Sequence, residues 1–196
     1  MDNARIDIPM VDAVLALLVR QHASQAGMLR RTLENLTDHQ FTHAPGETAP
    51  PMGWHLWHIA RWGDRFQASI ANPEAPAEIW TSEGWAEACG FEDIELGVLQ
   101  LGMSMDAAKA QALPAAIGRQ RFGAYLERVL DALHAAISES DPEALLAPRM
   151  SIREYATVNG TIQYAPAEQS TLFADILFHL THSGRHLGSI EALRGL

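Results

Sequence analysis

In residues 9–36 the apolar side chains Val11, Val14, Leu15, Leu18, Met28, Leu29, Leu33 and Leu36 recur at every third or fourth position. That spacing puts them on one face of a helix. His22 keeps the same rhythm, and Pro9 suits a first turn, where its missing N–H is no loss. The period returns in "MGWHLWHIARWGDRFQASI" from about Pro51 to Ile70. It returns again in residues 115–138, through Ile117, Phe122, Tyr125, Leu126, Val129, Leu130, Leu133 and Ile137, and in residues 171–193. Each long segment has one apolar stripe to bury, and no set of strands is large enough to form a sheet for it to cover. Helix against helix is the remaining solution. The expectation is an all-α four-helix bundle forming one domain over residues 1–196.

The stretches between the long helices carry turn chemistry. "TDHQFTHAPGETAPP" reads as a connection, residues 72–76 break the second helix, and "EIWTSEGWAEACGF" suits one or two short helical turns. Ser104 reads as the N-cap of a short helix over 105–112 that Pro114 ends. Asp141-Pro142 starts another. Asn159-Gly160 between β-forming residues is the signal for a type I′ turn, so a small β-hairpin is expected over 152–164.

Composition narrows the function. The 24 acidic and 14 basic residues leave a net charge of -10 with no basic run, which argues against nucleic acid as a partner. The first ten residues carry no basic segment followed by an apolar one, and the longest apolar run, residues 13–19, is too short to span a bilayer. A cytoplasmic protein with no membrane partner is expected. Cys89 is the only cysteine, which excludes an internal disulfide and a cysteine-rich zinc site. It has no basic cluster beside it, so a buried inert thiol is expected. Glycine-rich phosphate loops, nucleophile elbows and paired-carboxylate motifs do not occur. A metal, if one is held, must be held by nitrogen and oxygen.

The last helix contains "HLTHSGRHLG", and Asp175, His179, His182 and His186 fall on one of its faces. Two imidazoles four residues apart can share one ion. By spacing and placement alone, a metal site and a row of histidines lining a wet groove are equally open readings. His39 and His43 repeat the spacing in a proline-bounded loop. A third ligand would come from a facing helix, where "GWHLWHIARW" offers His55 and His58. Periodicity does not choose between those two. His179 reads as a donor to substrate or as a structural histidine, and Asp175 as an orienting partner for a histidine or a surface carboxylate. The five tryptophans should mostly be core, with one or two walling a pocket. His22 and Tyr125 are expected to face one cavity.

"WHLWHIARW" and "HLTHSGRHLGSIEALRGL" resemble the two signature segments of the DinB/YfiT-like metalloenzymes, and the resemblance covers nearly the whole chain. It implies a DinB/YfiT-like bundle with short extra helices and a small β-hairpin in its long loops. It also implies three metal ligands: His58, followed by Ile59-Ala60, and the His182/His186 pair. His55 is then a helper beside the metal, a groove residue or an interfacial one, and His179 stays open as a helper or a structural histidine. The implied cofactor is one divalent ion, Zn²⁺, Ni²⁺, Fe²⁺ or Mn²⁺. The implied partners are a small-molecule substrate and a low-molecular-weight thiol, since members include metal-dependent thiol S-transferases and a thiol-dependent maleylpyruvate isomerase; a homodimer is a further expectation. Where many members carry His-Arg-Gly-Gln at the last ligand, this chain has His186-Leu187-Gly188-Ser189, with Gly188 suited to close helix packing. The second helix is also similar to that of ergothioneine sulfoxide synthases, but the histidine and glutamate that follow their H-x-x-x-H pattern are missing. The alternative to an enzyme is a non-catalytic bundle binding a metal or ligand for structure or sensing.

Overall fold

The computed structural model describes residues 8–90, 96–153, 155–158, 161–164 and 169–195. In chain order its helices are α1 (Ile8–Glu34), α2 (Asp38–Thr42), α3 (Met52–Ala71), α4 (Ile79–Ser82), α5 (Trp85–Cys89), α6 (Ala107–Ile117), α7 (Arg119–Ser138), α8 (Pro142–Leu146) and α9 (Leu172–Arg194). The long ones, α1, α3, α7 and α9, form a four-helix bundle. Both α1 and α3 pack on α7 and α9, so α1 and α3 stand at opposite corners, as do α7 and α9. Connections 35–51 and 139–171 therefore cross the ends of the bundle. No helix among the described residues is long and apolar enough to cross a membrane.

The expected long helices are present, and the departures lie in the connections. Residues 37–42 hold a helix that the turn-rich composition concealed. The Thr37 hydroxyl accepts from the Gln40 N–H at 3.1 Å, and the Gln40 side chain accepts from the Thr37 N–H at 3.0 Å, a closed capping box. Ser104 is not a cap: its φ of 57° is left-handed, and a cap needs extended backbone. Asp106 caps α6 instead, accepting from the Lys109 N–H at 3.2 Å. Pro114 does not stop α6. It packs against Gly53 of α3, and the helix runs to Ile117, where Gly118 at φ 78° ends it and delays α7 to Arg119.

The hairpin forms from β2 (Tyr155–Val158) and β3 (Thr161–Tyr164), antiparallel with Val158 opposite Thr161. The Asn159-Gly160 turn itself lies outside the described residues. A second antiparallel pair, β1 (Arg149–Met150) with β4 (Gln169–Ser170), closes the base of this segment against α9.

Two apolar clusters fill the bundle, one around Leu56, Trp57, Trp80, Phe122 and Leu126, the other around Trp62, Phe66, Leu133, Ile137 and Ile176. At the edge of the first sits a polar network that the sequence did not announce. Arg61, Asp64 and Tyr125 are completely buried. The Asp64 carboxylate accepts from Arg61 Nη1 at 2.9 Å, Tyr125 Oη at 2.9 Å, Gln67 Nε2 at 3.0 Å, and the backbone N–H groups of Ile79 at 2.7 Å and Trp80 at 2.8 Å. Arg61 also reaches Glu78 at 2.5 Å and the Gln100 carbonyl at 3.2 Å. Burial pushes the Tyr125 hydroxyl well above its ordinary pKa, so it remains a donor. Breaking a buried pair from one side strands the other charge. Asp64→Ala should therefore cost about 3–5 kcal/mol of unfolding free energy in urea titration, whereas an unchanged midpoint would show that the network contributes no net stability.

Candidate functional site

The contact of α3 with α9 brings the sequence-selected histidines together. His58, near the middle of the buried face of α3, and His182 and His186, one turn apart on α9, each place a ring nitrogen so that all three lie within 4.8 Å of one another. His58 Nε2 is 2.9 Å from His182 Nε2. The three ring centroids are 4.6 to 5.1 Å apart. His58 is only 2% exposed, and the other two are half-buried.

The orientation of His58 is set from outside both helices. Its Nδ1–H donates to the Leu101 carbonyl, which leaves Nε2 as a lone pair facing the other two rings. The carbonyl is delivered by a tight turn, in which Leu99 and Gln100 both have left-handed backbone, at φ 57° and 55°. Such conformations cost about 1 kcal/mol or more for a residue with a side chain. Gly102, at φ 85°, has no such penalty, and a Cβ there would come within 2.9 Å of the Trp54 and Trp57 rings. No periodic signal marks this turn, so sequence reasoning missed Leu101.

Aromatic rings wall the cluster. Trp54 stacks on His58 at 4.9 Å and 8°, Phe178 stacks on His182 at 5.5 Å and 13°, and Trp62 meets His182 edge-on at 5.9 Å. Of the expected pocket-walling tryptophans, half-buried Trp54 has that position, while Trp57, Trp62 and Trp80 are core. Burial lowers the histidine pKa values from 6.5, to about 4 at His182 and about 3 at His186, and well below 6.5 at His58. Neighbouring positive or ionisable groups, Arg185 and the other imidazoles, push the same way. All three are thus neutral at pH 7, the form in which imidazole donates to a metal.

The other selected residues separate. His55 joins the cluster from its rim: its Nδ1 is 2.8 Å from Nδ1 of His186, and burial lowers its pKa to about 4. His179 turns into the core, 4% exposed, against Phe66 at 5.2 Å. Asp175 is not on the surface and orients no histidine among the described residues. It is fully buried and accepts from Ser151 Oγ at 2.8 Å, the Ile152 N–H at 3.0 Å and Ser170 Oγ at 3.2 Å, tying both ends of the hairpin segment to α9. His22 and Tyr125 do not share a cavity, since Tyr125 belongs to the Asp64 network and His22 faces α9 and His134. His39 and His43 stack on each other at 4.7 Å on the surface. Cys89 is buried. A Cβ added at Gly188 or Gly184 would meet nothing within 4 Å among the described residues beyond the helix's own backbone; both are exposed on the face of α9 away from the histidines. A cleft of about 1020 Å³ between the ends of α3 and α7 and α8 is bordered by Arg65, Ala136, Arg149 and Met150 and has no imidazole among its described lining residues.

Behind the cluster, both ring nitrogens of buried His22, Nδ1 of buried His179 and Ser183 Oγ have no hydrogen-bond partner among the described residues. Burial lowers His179 to about 3 and His22 to about 4, with His22 and His182 pushing the same way at His179, and His134 and Arg30 at His22. Protons therefore bind the unfolded chain first as pH falls. Stability contributed by keeping these rings neutral is complete above pH 6.5 and is lost on the way down to about 4 and 3. Urea titrations of metal-free protein should show unfolding free energy falling across that window, by up to about 1.4 kcal/mol per pH unit for each such histidine. His179→Leu should flatten the slope. A slope that stays flat in the unsubstituted chain would contradict this account.

Three neutral imidazoles converging from two helices, one of them with its free nitrogen fixed by a carbonyl, make a donor set compatible with a metal ion. The chain matches the family model described as the DinB superfamily over residues 21–190, a span that includes α3, α7, almost all of α9 and every histidine of the cluster. No curated protein matches it. With that match covering most of its length, the chain belongs to the DinB superfamily.

Proposed function

We propose that this chain is a mononuclear divalent-metal enzyme, in which His58, His182 and His186 hold the ion and the adjoining aromatic-walled space takes a small electrophile and a low-molecular-weight thiol. The convergence of three unprotonated ring nitrogens within 4.8 Å carries this reading. Zn²⁺, Ni²⁺, Fe²⁺ and Mn²⁺ all suit imidazole, which discriminates weakly among them. When bound, such an ion supplies the positive charge that makes a thiol or water acidic at neutral pH. The chain's own residues do the positioning. Leu101 fixes the His58 ring, Trp54 and Phe178 shield the ligands from water, and the half-buried His182 and His186 leave one side approachable. The likeness to metal-dependent thiol transferases and to a thiol-dependent isomerase supports thiol transfer, isomerisation or hydrolysis as the reaction class. Purified protein should carry close to one divalent ion per chain, and His182→Ala should lose it; full occupancy in that variant would overturn the ligand assignment. Conjugation of a thiol to an electrophile should stop on chelation and return with added metal.

A second reading, a non-catalytic bundle whose metal serves structure or sensing, draws on His55. Its ring nitrogen lies 2.8 Å from that of His186, near enough to close the coordination sphere. In the catalytic reading His55→Ala keeps its metal. Loss of metal to the extent seen in His182→Ala would favour the closed, structural site.

A further inference from the structure

One flank of the histidine cluster carries a cation that the proposed metal site does not use. Phe178, stacked on His182, also has the Arg153 guanidinium over its ring, with Cζ 4.5 Å from the centroid. The guanidinium therefore lies within about 10 Å of the His182 ring. Arg153 is held by one edge. Its Nε contacts Ser151 Oγ at 3.3 Å and lies 3.6 Å from Asp175 Oδ1, while its two Nη groups make no hydrogen bond with the described residues. The other partners of Asp175, at Ser151, Ile152 and Ser170, are neutral, so Arg153 is its ion pair through Nε, and the Nη end of the guanidinium points away from that contact without a carboxylate among the described residues. The Arg153 side chain remains 35% exposed.

Charge around the cluster points the same way. Arg185, exposed on α9 and without an ion pair among the described residues, acts electrostatically on both His182 and His186. Among the described residues, no carboxylate acts on His55, His58, His182 or His186. Among the described residues this corner presents Arg185 and the Nη end of Arg153, in a chain whose net charge is -10. Three neutral ligands would leave the full charge of a divalent ion uncompensated, adding to that corner. A guanidinium fixed at Nε and backed by an aromatic face presents the fork that pairs with a carboxylate.

We propose that the molecule taken beside the three histidines is a small organic anion, whose carboxylate is bound by Arg153 against Phe178, with Arg185 adding a longer-range attraction. This rests on the metal reading above and specifies its substrate class. The test loads the full chain with Co²⁺ and follows the visible absorption change as a thiol joins the ion. Mercaptopropionate and mercaptohexanoate are titrated against their neutral counterparts, mercaptopropanol and mercaptohexanol. At least one carboxylate should bind about tenfold or more tightly than its alcohol, as a charged hydrogen-bonded pair would give. Arg153→Gln should abolish that preference while the alcohols bind as before, and the latter also shows that the variant is folded. Arg185→Gln, on the solvent face, should reduce the preference by a smaller factor, and more so at low salt than at high. Failure to take up Co²⁺ would overturn the metal reading and this proposal with it. Uptake without a charge preference, or with a preference that survives Arg153→Gln, would overturn only the anion assignment.

Discussion

The buried carboxylate of Asp64 is the constraint from which much of the site's geometry follows. An anion without solvent must collect donors, and this one takes them from α3, α7 and the start of α4. Holding the N–H groups of Ile79 and Trp80 fixes where the chain goes after α3. That places Glu78 against Arg61 and Arg65, and Arg61 in turn holds the Gln100 carbonyl. The next carbonyl along, that of Leu101, orients His58. A structural ion pair thus reaches, through one backbone turn, the ring nitrogen that faces the other two histidines.

The stripe on α9 shows how one helical face divides into different environments. Asp175, His179, His182 and His186 follow one another along the helix, yet each meets different neighbours. Asp175 meets the N–H and hydroxyl groups of the hairpin base, His179 meets Phe66 and the core, and the last two meet α3 where Trp54 and Phe178 leave part of the rings open. Burial without partners at His22 and His179 costs stability. Burial with an open side at His182 and His186 makes neutral donors available.

The fold was largely legible. Long stretches at a three-to-four spacing yield helices whose apolar stripes can be satisfied only by one another, and the bundle follows. The histidine cluster was legible in part. Spacing put His182 and His186 on one face but could not choose between His55 and His58. Those two are separated by less than one turn of α3, and only contact with α9 and the Leu101 carbonyl distinguishes them. Short elements were least legible, because single residues decide them. Thr37 and Gln40 made a helix in an apparent loop, Asp106 displaced Ser104 as a cap, and Pro114 was accommodated because it packs against Gly53.

What the sequence by itself determined is the set of helices and the pairing of two histidines on the last of them, since both depend on periodicity along one element. Tertiary structure brought the ring of α3 that periodicity could not choose, His58, to that pair, and it alone decided that Asp175 is an anchor for the hairpin base and that Arg61, Asp64 and Arg153 are held where they are. Those outcomes depend on which groups meet across the bundle and on how much water is left between them. Neither quantity is periodic in the chain.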